Sequence, residues 1–349
     1  MLKQENQRLK AKLASPTSSE KKIAAANKAA KKARQEQEAC ERKQMTQQQA
    51  LEALRDRHGA KNYKGNGPPT ATSVGFPHRK DIRTIEGEIM DCLLCLPKLQ
   101  KLSFHNCANL LSLPERFGDL TTLETLCMGE CTSLVLLPER LGQLKSLQTL
   151  NLNLCNKLES LPERFGEFKS LTKLDLSYCA NLTSLPDRFG DLTSLQTLWL
   201  FQCQSLQSLP EGFGELISLI QLDLGYCGKL VSLPTRFGEL INLQTLYLRQ
   251  CNKLESLPVH IGGLQSLTSL DLSNCKSLVS LPQQFGELTS LQTLSLYECK
   301  SLQSPSELFR ELTSLRTLYL DNTPAGRNMP AALKAQLEAQ GCKSQGNGW

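Results

Sequence analysis

Nine cysteines, Cys107, Cys131, Cys155, Cys179, Cys203, Cys227, Cys251, Cys275 and Cys299, recur every 24 residues in a chain of 349 residues that holds fourteen cysteines in all. Thiols in such numbers invite three chemistries: cross-linking, metal binding and nucleophilic attack. Equivalent slots in successive repeats point their side chains the same way, which does not supply the crossed geometry of a disulfide. Structural zinc needs ligands gathered around one point, which a ladder does not offer. The nine therefore read as reduced packing residues, each a small buried group with a weak S–H donor. Cys92 and Cys95 form a separate Cys-x-x-Cys inside the apolar run 90–96, a setting that favours a core segment over a redox or metal site. The four histidines, His58, His78, His105 and His260, stand in unrelated contexts. No Ser/His/Asp set, catalytic carboxylate pair or Gly-x-x-x-x-Gly-Lys-Ser/Thr phosphate loop occurs, so neither catalysis nor a cofactor or metal is expected.

The remaining chemistry is recognition. In each repeat, residues alternating with leucine should face outward from a short strand, because strand side chains alternate between faces. These slots and their neighbours collect Tyr178, Trp199, Phe201, Tyr226, Tyr247, Tyr297 and Tyr319, which include five of the six tyrosines in the chain. Aromatic residues suit strands for reasons of packing alone. Seven of them on one solvent-facing surface nevertheless read as an interaction site. One slot runs Asp175, Trp199, Asp223, Tyr247, Asp271, Ser295, Tyr319, with aspartate on alternate repeats over three cycles. Rung spacing would set these carboxylates ~10 Å apart. That is too far for one metal ion or a paired acid and base. A repetitive or basic partner and simple duplication of a two-repeat unit both account for the alternation.

The elements that must position these residues are written in the repeat itself: Leu171-x-x-Leu174-x-Leu176-x-x-Cys179-x-x-Leu182-x-x-Leu185-Pro186-x-x-Phe189-Gly190-x-Leu192. This frame resembles the leucine-rich repeat, in which each turn is a strand plus a return segment and buries its apolar side only against its neighbours. The resemblance runs from Leu99 to about Leu333. It implies an α/β repeat solenoid, a horseshoe of about ten 24-residue turns with a parallel concave sheet. Leu171, Leu174 and Leu176 should stack on Leu147, Leu150 and Leu152 and on Leu195, Leu198 and Leu200. Leu-Pro should open the convex return, where proline fixes φ and needs no donor, and Gly166 and its equivalents should relieve a bend before the next strand. The Cys-x-x-Leu-x-x-Leu-Pro-x-x-Phe-Gly-x-Leu pattern is most similar to the repeats of plant intracellular disease-resistance receptors and of Ras-group leucine-rich repeat proteins. That likeness implies non-catalytic protein recognition or a signalling scaffold, in a defence setting, without the nucleotide-binding domain of the receptors. A protein or peptide on the concave face is the expected partner.

Charge divides the chain. Residues 1–66 hold 16 Lys/Arg against 7 Asp/Glu, a local net of +9, which leaves −3 of the total +6 to the rest. Residues 1–57 read as a basic helical arm, rich in Ala, Lys and Gln. Its best heptad seam is half alanine or glutamine, a weak coiled coil. A solvated helix, a partner helix, and contact with nucleic acid or an acidic membrane all remain open for this arm. The glycines and prolines of 58–80 read as a flexible linker. Ile82, Ile85, Ile89, Leu93 and Leu96 place an amphipathic helical cap over 81–98, ahead of a repeat domain over 99–323. A C-terminal cap and tail fill 324–349, where Thr323 stands in the cysteine slot and a helix is expected from Pro330 to Gln340. Neither a signal-peptide apolar region after Met1 nor an 18-residue apolar run is found. A cytoplasmic location, or a nuclear one, is expected.

Overall fold

The computed structural model describes residues 47–64, 72–303 and 306–344. Most of the expected basic arm, all of it before Gln47, lies outside these residues. So does Pro305, where a local distortion of the array is expected.

The repeat frame folds as a right-through ladder of three-residue strands. From β3 (Lys101–Ser103) to β12 (Thr317–Tyr319) they are β4 (Thr125–Cys127), β5 (Thr149–Asn151), β6 (Lys173–Asp175), β7 (Thr197–Trp199), β8 (Gln221–Asp223), β9 (Thr245–Tyr247), β10 (Ser269–Asp271) and β11 (Thr293–Ser295). Neighbours pair in parallel with a 24-residue register, Leu174 opposite Leu198 and Leu198 opposite Leu222. The three leucines of each repeat point inward as expected: Leu147, Leu150, Leu152, Leu171, Leu174, Leu176, Leu195, Leu198 and Leu200 are all fully buried.

From Glu115–Asp119 to Gln283–Glu287 each return is a five-residue 3-10 turn, such as Glu163–Glu167 or Asp187–Asp191, and the next, Ser306–Glu311, has six residues. Five residues are too few to repay α-helix nucleation, and 3-10 geometry suits short pieces. The proline before each five-residue turn sits at its N-cap in extended conformation, and its carbonyl accepts the bond that closes the turn, as Pro186 does from the Phe189 N–H at 2.9 Å. Behind the turns the phenylalanines form a second buried ladder. Phe165, Phe189, Phe213 and Phe237 stack with centroids 6.0–6.1 Å apart.

The glycine after each phenylalanine does a different job from the one expected. Gly166 and its equivalents have ordinary φ and relieve no bend. A Cβ on Gly190 would collide with the Gly212 carbonyl oxygen and lie 2.7 Å from its carbon, and a Cβ on Gly166 would meet the Arg188 carbonyl in the same way. Glycine is there because successive 3-10 turns pack backbone to backbone.

All nine ladder cysteines are fully buried, and each S–H donates across to a carbonyl of the preceding rung. Cys203 Sγ lies 3.2 Å from Leu176 O, and Cys227 Sγ lies 3.2 Å from Leu200 O. The other seven make the same bond at 3.0–3.3 Å. Leu176 O and Leu200 O also accept the backbone N–H of Cys179 and Cys203, each at 3.2 Å, so the thiol is a second donor that ties the inward bend of one rung to the next. Replacing Cys203 by alanine is expected to cost about 2 kcal/mol, for the lost donor and the small void. Serine, which keeps a donor, should cost roughly half as much. Urea unfolding of the two variants checks the order, and equal losses would contradict a hydrogen-bonding role.

Burial pushes the thiols up from an ordinary 9.0, to about 12 at Cys179, Cys227 and Cys299 and about 11 at Cys107. The unfolded chain releases these protons near pH 9 while the folded chain holds them. Stability from the ladder is therefore complete below pH 9 and drains away as pH rises toward 12.

The ends correct the expected boundaries. Residues 58–80 are not simply a linker, because β2 (Ser73–Gly75) pairs in parallel with β3 and supplies a further rung. Val74 and Phe76 are buried there, with Phe76 stacked on Phe104 at 5.1 Å. Glycine and proline density hid a rung whose inward residues are Val and Phe instead of Leu. The cap over 81–98 contains a shorter helix than its apolar spacing suggests, α2 (Glu88–Leu94), which stands where later repeats have a 3-10 turn. Against it packs α1 (Gln47–Asp56), the described end of the basic arm, burying Ala50, Ala53 and Leu54. Arg57 and His58 both engage Glu88, the latter at 3.1 Å. A strand β1 (Lys61–Lys64) closes this edge by antiparallel pairing with β2.

At the other end Thr323 Oγ1 donates to Leu320 O at 2.6 Å and accepts from Gly326 N at 2.9 Å. It thereby caps α3 (Pro324–Arg327) and ends the thiol ladder. The expected C-terminal helix is α4 (Ala331–Ala339), which buries Leu333 and Leu337. After it β13 (Lys343–Ser344), unforeseen, adds one more parallel strand on β12.

Candidate partner-binding face

The outward side chains stand in columns, one residue per rung. Lys173, Thr197, Gln221 and Thr245 begin the strands, and Asp175, Trp199, Asp223 and Tyr247 end them in register. Two residues on comes a third column, Ser177, Phe201, Gly225, Arg249. Next to it is a fourth, Tyr178, Gln202, Tyr226, Gln250, whose members all adopt φ near +60°. Tyr178 and Tyr226 therefore sit in a left-handed bend after the strand, not on it. The ladder pays for this conformation with hydrogen bonds: Tyr178 N–H reaches Phe201 O and Tyr226 N–H reaches Arg249 O, each at 2.7 Å.

The bend swings these tyrosines onto their neighbours. Tyr178 meets Phe201 edge to face at 5.3 Å, and Phe201 meets Tyr226 in the same way at 5.1 Å. The Arg249 guanidinium carbon lies 5.1 Å from the Phe201 centroid and 5.6 Å from that of Tyr247, within cation–π range. To reach Phe201 it crosses Gly225, where a Cβ would lie 3.1 Å from Arg249 Cγ and 3.2 Å from Nε. Four of the seven expected aromatics, Tyr178, Phe201, Tyr226 and Tyr247, are thus drawn into one patch around Arg249. Tyr178 and Tyr226 remain more than a third exposed. Trp199 stands half-buried on β7 between Asp175 and Asp223. Tyr297 and Tyr319 lie two or three rungs further along and are not in the patch. Arg249 escaped sequence reasoning. Its signal was Gly225, the gap between Phe201 and Arg249 in their column.

The three aspartates have a structural task that spacing alone did not reveal. Asp175 Oδ1 accepts from Ser177 N at 2.9 Å, Asp223 Oδ1 from Gly225 N at 2.8 Å and Asp271 Oδ1 from Ser273 N at 2.9 Å. Each closes its own bend as an Asx turn, as Asn151 also does. Asp223 is 8% exposed, and burial raises its pKa, opposed by the Gly225 N–H and by Arg249, whose Nη2 lies 3.8 Å from Oδ2.

The convex face is built differently. Glu115 accepts from the Glu139 and Arg140 backbone N–H groups of the next turn at 3.2 and 3.0 Å, so this acidic slot caps its neighbour as well as adding surface charge. Arg164 and Arg188 fold onto Glu167 and Asp191. An open hollow of ≈ 480 Å³ bordered by Arg236, His260, Gln284 and Glu287 lies there, where Gly263 replaces the usual acid. Among the described residues no group of three or more His, Cys, Asp or Glu is placed to hold a metal, and no helix is long and apolar enough to cross a membrane.

Comparison with known proteins agrees with this architecture. The sequence matches the family described as "Leucine-rich repeat region" over residues 130–229 and 211–340. The leucine-rich repeat domain of the type III effector XopL is 29% identical, with a TM-score of 0.52 over 58% of this chain and 69% of that one. A leucine-rich repeat protein of Leptospira interrogans is 23% identical with a TM-score of 0.31, covering 77% of this chain and 94% of its own. A chain of the Drosophila Toll–Spatzle complex is 24% identical with a TM-score of 0.49, covering 72% and 36%. No curated protein sequence matches. With the family matched over more than half its length and the rungs, returns and register in place, the chain belongs to the leucine-rich repeat proteins.

Proposed function

We propose that this protein is a non-catalytic recognition scaffold that holds a protein or peptide partner on the concave face, centred on Tyr178, Phe201, Tyr226, Tyr247 and Arg249. The observation that carries the reading is the patch itself: rings in edge-to-face contact around a guanidinium, two of them more than a third exposed, on a rigid sheet. Aromatic and arginine side chains give large contact area for few ordered torsions and dominate binding hot spots. The leucine-rich repeat fold supports protein binding as the general role. The resemblance of the repeats to those of disease-resistance receptors supports a defence or signalling setting. Nine buried thiols held protonated fit a reducing compartment, cytoplasmic or nuclear.

The test is a quantitative pull-down with the intact chain, a Phe201→Ala/Tyr226→Ala/Tyr247→Ala variant and a convex Arg164→Ala/Arg188→Ala variant. Each aromatic change is expected to cost about 1–3 kcal/mol of binding, so the triple variant should lose its partner while the convex variant retains it. Circular dichroism should be unchanged in both. Partner retention by the triple variant would overturn the assignment.

A further inference from the structure

Between β6 and β10 the concave face alternates carboxylates and rings in one column: Asp175, Trp199, Asp223, Tyr247, Asp271. Over the rungs from Lys173 to Asn322 the four outward columns hold five acids, Asp175, Asp223, Asp271, Glu298 and Asp321, against two bases, Lys173 and Arg249. The structure also displays what this surface accepts. Arg249 lays its guanidinium over Phe201 and Tyr247 and sets Nη2 3.8 Å from the Asp223 carboxylate, so the chain fills the central place with a cation of its own. Asp175 and Asp271, two rungs to either side, have no ion-pair partner among the described residues. One oxygen of each is committed to an Asx turn.

Spacing and the lack of a free sheet edge together select the conformation of the occupant. Four rungs separate Asp175 from Asp271, ~19 Å at the usual strand separation. Six residues of polyproline II helix rise ~18.6 Å and bring residues i, i+3 and i+6 to the same face. A β-strand of similar reach would also bring i and i+6 to one face, but it turns i+3 away from the surface and leaves its backbone unpaired, because a sheet interior offers it no edge, whereas a polyproline II backbone needs none. Prolines between the bases would lie against Trp199 and Tyr247, the ring and pyrrolidine contact by which polyproline segments dock in aromatic-lined grooves.

We infer that the partner segment is a basic polyproline II peptide crossing the rungs, with two cationic side chains six residues apart on Asp175 and Asp271 and a non-basic residue midway, opposite Asp223 and Arg249. This deepens the concave-face reading and rests on it. The experiment is fluorescence anisotropy of the full chain with labelled Arg-Pro-Pro-Ala-Pro-Pro-Arg. The comparison peptides are Glu-Pro-Pro-Ala-Pro-Pro-Glu and a peptide shortened by one residue, Arg-Pro-Pro-Ala-Pro-Arg, which turns the bases to different faces. The seven-residue basic peptide should bind at least ~10-fold tighter than either, since two matched charge contacts and their register are lost in the others. The Asp175→Asn/Asp271→Asn variant keeps an Asx acceptor at each bend and so its fold. It should lose that advantage, and Trp199→Ala should weaken the peptide by at least ~10-fold. Equal affinity for the shortened peptide, or no effect of the double amide variant, overturns the inference. If the acidic peptide binds instead and is lost in the Phe201/Tyr226/Tyr247 variant, the basic assignment falls while the concave-face function stands.

Discussion

Replacing Gly190 by alanine is expected to destabilise the solenoid by about 3 kcal/mol, the upper end of what overpacking a rigid interior costs. The methyl group would collide with the Gly212 carbonyl, its carbon at 2.7 Å and its Cα at 3.3 Å. All of these are backbone atoms of the next 3-10 turn, which no rotamer change can move. Because each rung touches only its neighbours, the strain must be met by separating two turns and loosening the Phe189–Phe213 stack. Gly228→Ala is the control, since a Cβ there meets nothing within 4 Å. It should change stability by less than about 0.5 kcal/mol. Urea denaturation of the two variants decides the matter, and similar midpoints would remove close backbone approach as the reason for the glycine ladder. Arg310 falls in the same slot one turn after Gly286. It is exposed and faces α4 rather than another 3-10 turn, with Gln336 Nε2 3.4 Å from its carbonyl, so the array ends where the glycine is no longer required.

The second large effect concerns where the folded unit begins. A chain starting at Asp81 should be at least ~4 kcal/mol less stable than one starting at Gln47, from the lost burial of Val74, Phe76 and Leu54 alone. It also forfeits the Phe76 N–H bond to Ser103 O at 2.7 Å, and leaves Cys107 without the Phe76 carbonyl that its thiol meets at 3.1 Å. Leu102 and Phe104 would then face water. Thermal melts of the two chains provide the comparison, and coincident transitions would show that β2 contributes no rung to the core.

The repeat interior was legible because its determinants are local and periodic. A leucine frame at strand spacing, a proline that opens each return and a small residue at the inward bend each impose one geometry, and 24-residue repetition let one rung calibrate the next. What escaped either departs from the leucine frame or rests on contacts that leave no periodic mark. The first rung escaped because Val74 and Phe76 replace leucine, and because its neighbouring glycines resemble linker composition. The Asx turns at Asp175, Asp223 and Asp271 escaped because an acid and a backbone N–H two residues on carry no periodic mark beyond the acid itself. The patch was half legible. Its rings were recognised from their slots, but their convergence depends on the left-handed bend at Tyr178 and Tyr226 and on Gly225 letting Arg249 cross to Phe201.

The most direct test of the concave-face account is site-specific photo-crosslinking, with a benzophenone side chain in place of Tyr226 in one preparation of the full chain and in place of Arg188 in another. Tyr226 belongs to the aromatic patch and Arg188 lies on the convex face, both exposed. The account predicts partner adducts from position 226 and none above background from position 188. Adducts from position 188 with none from position 226 would contradict it.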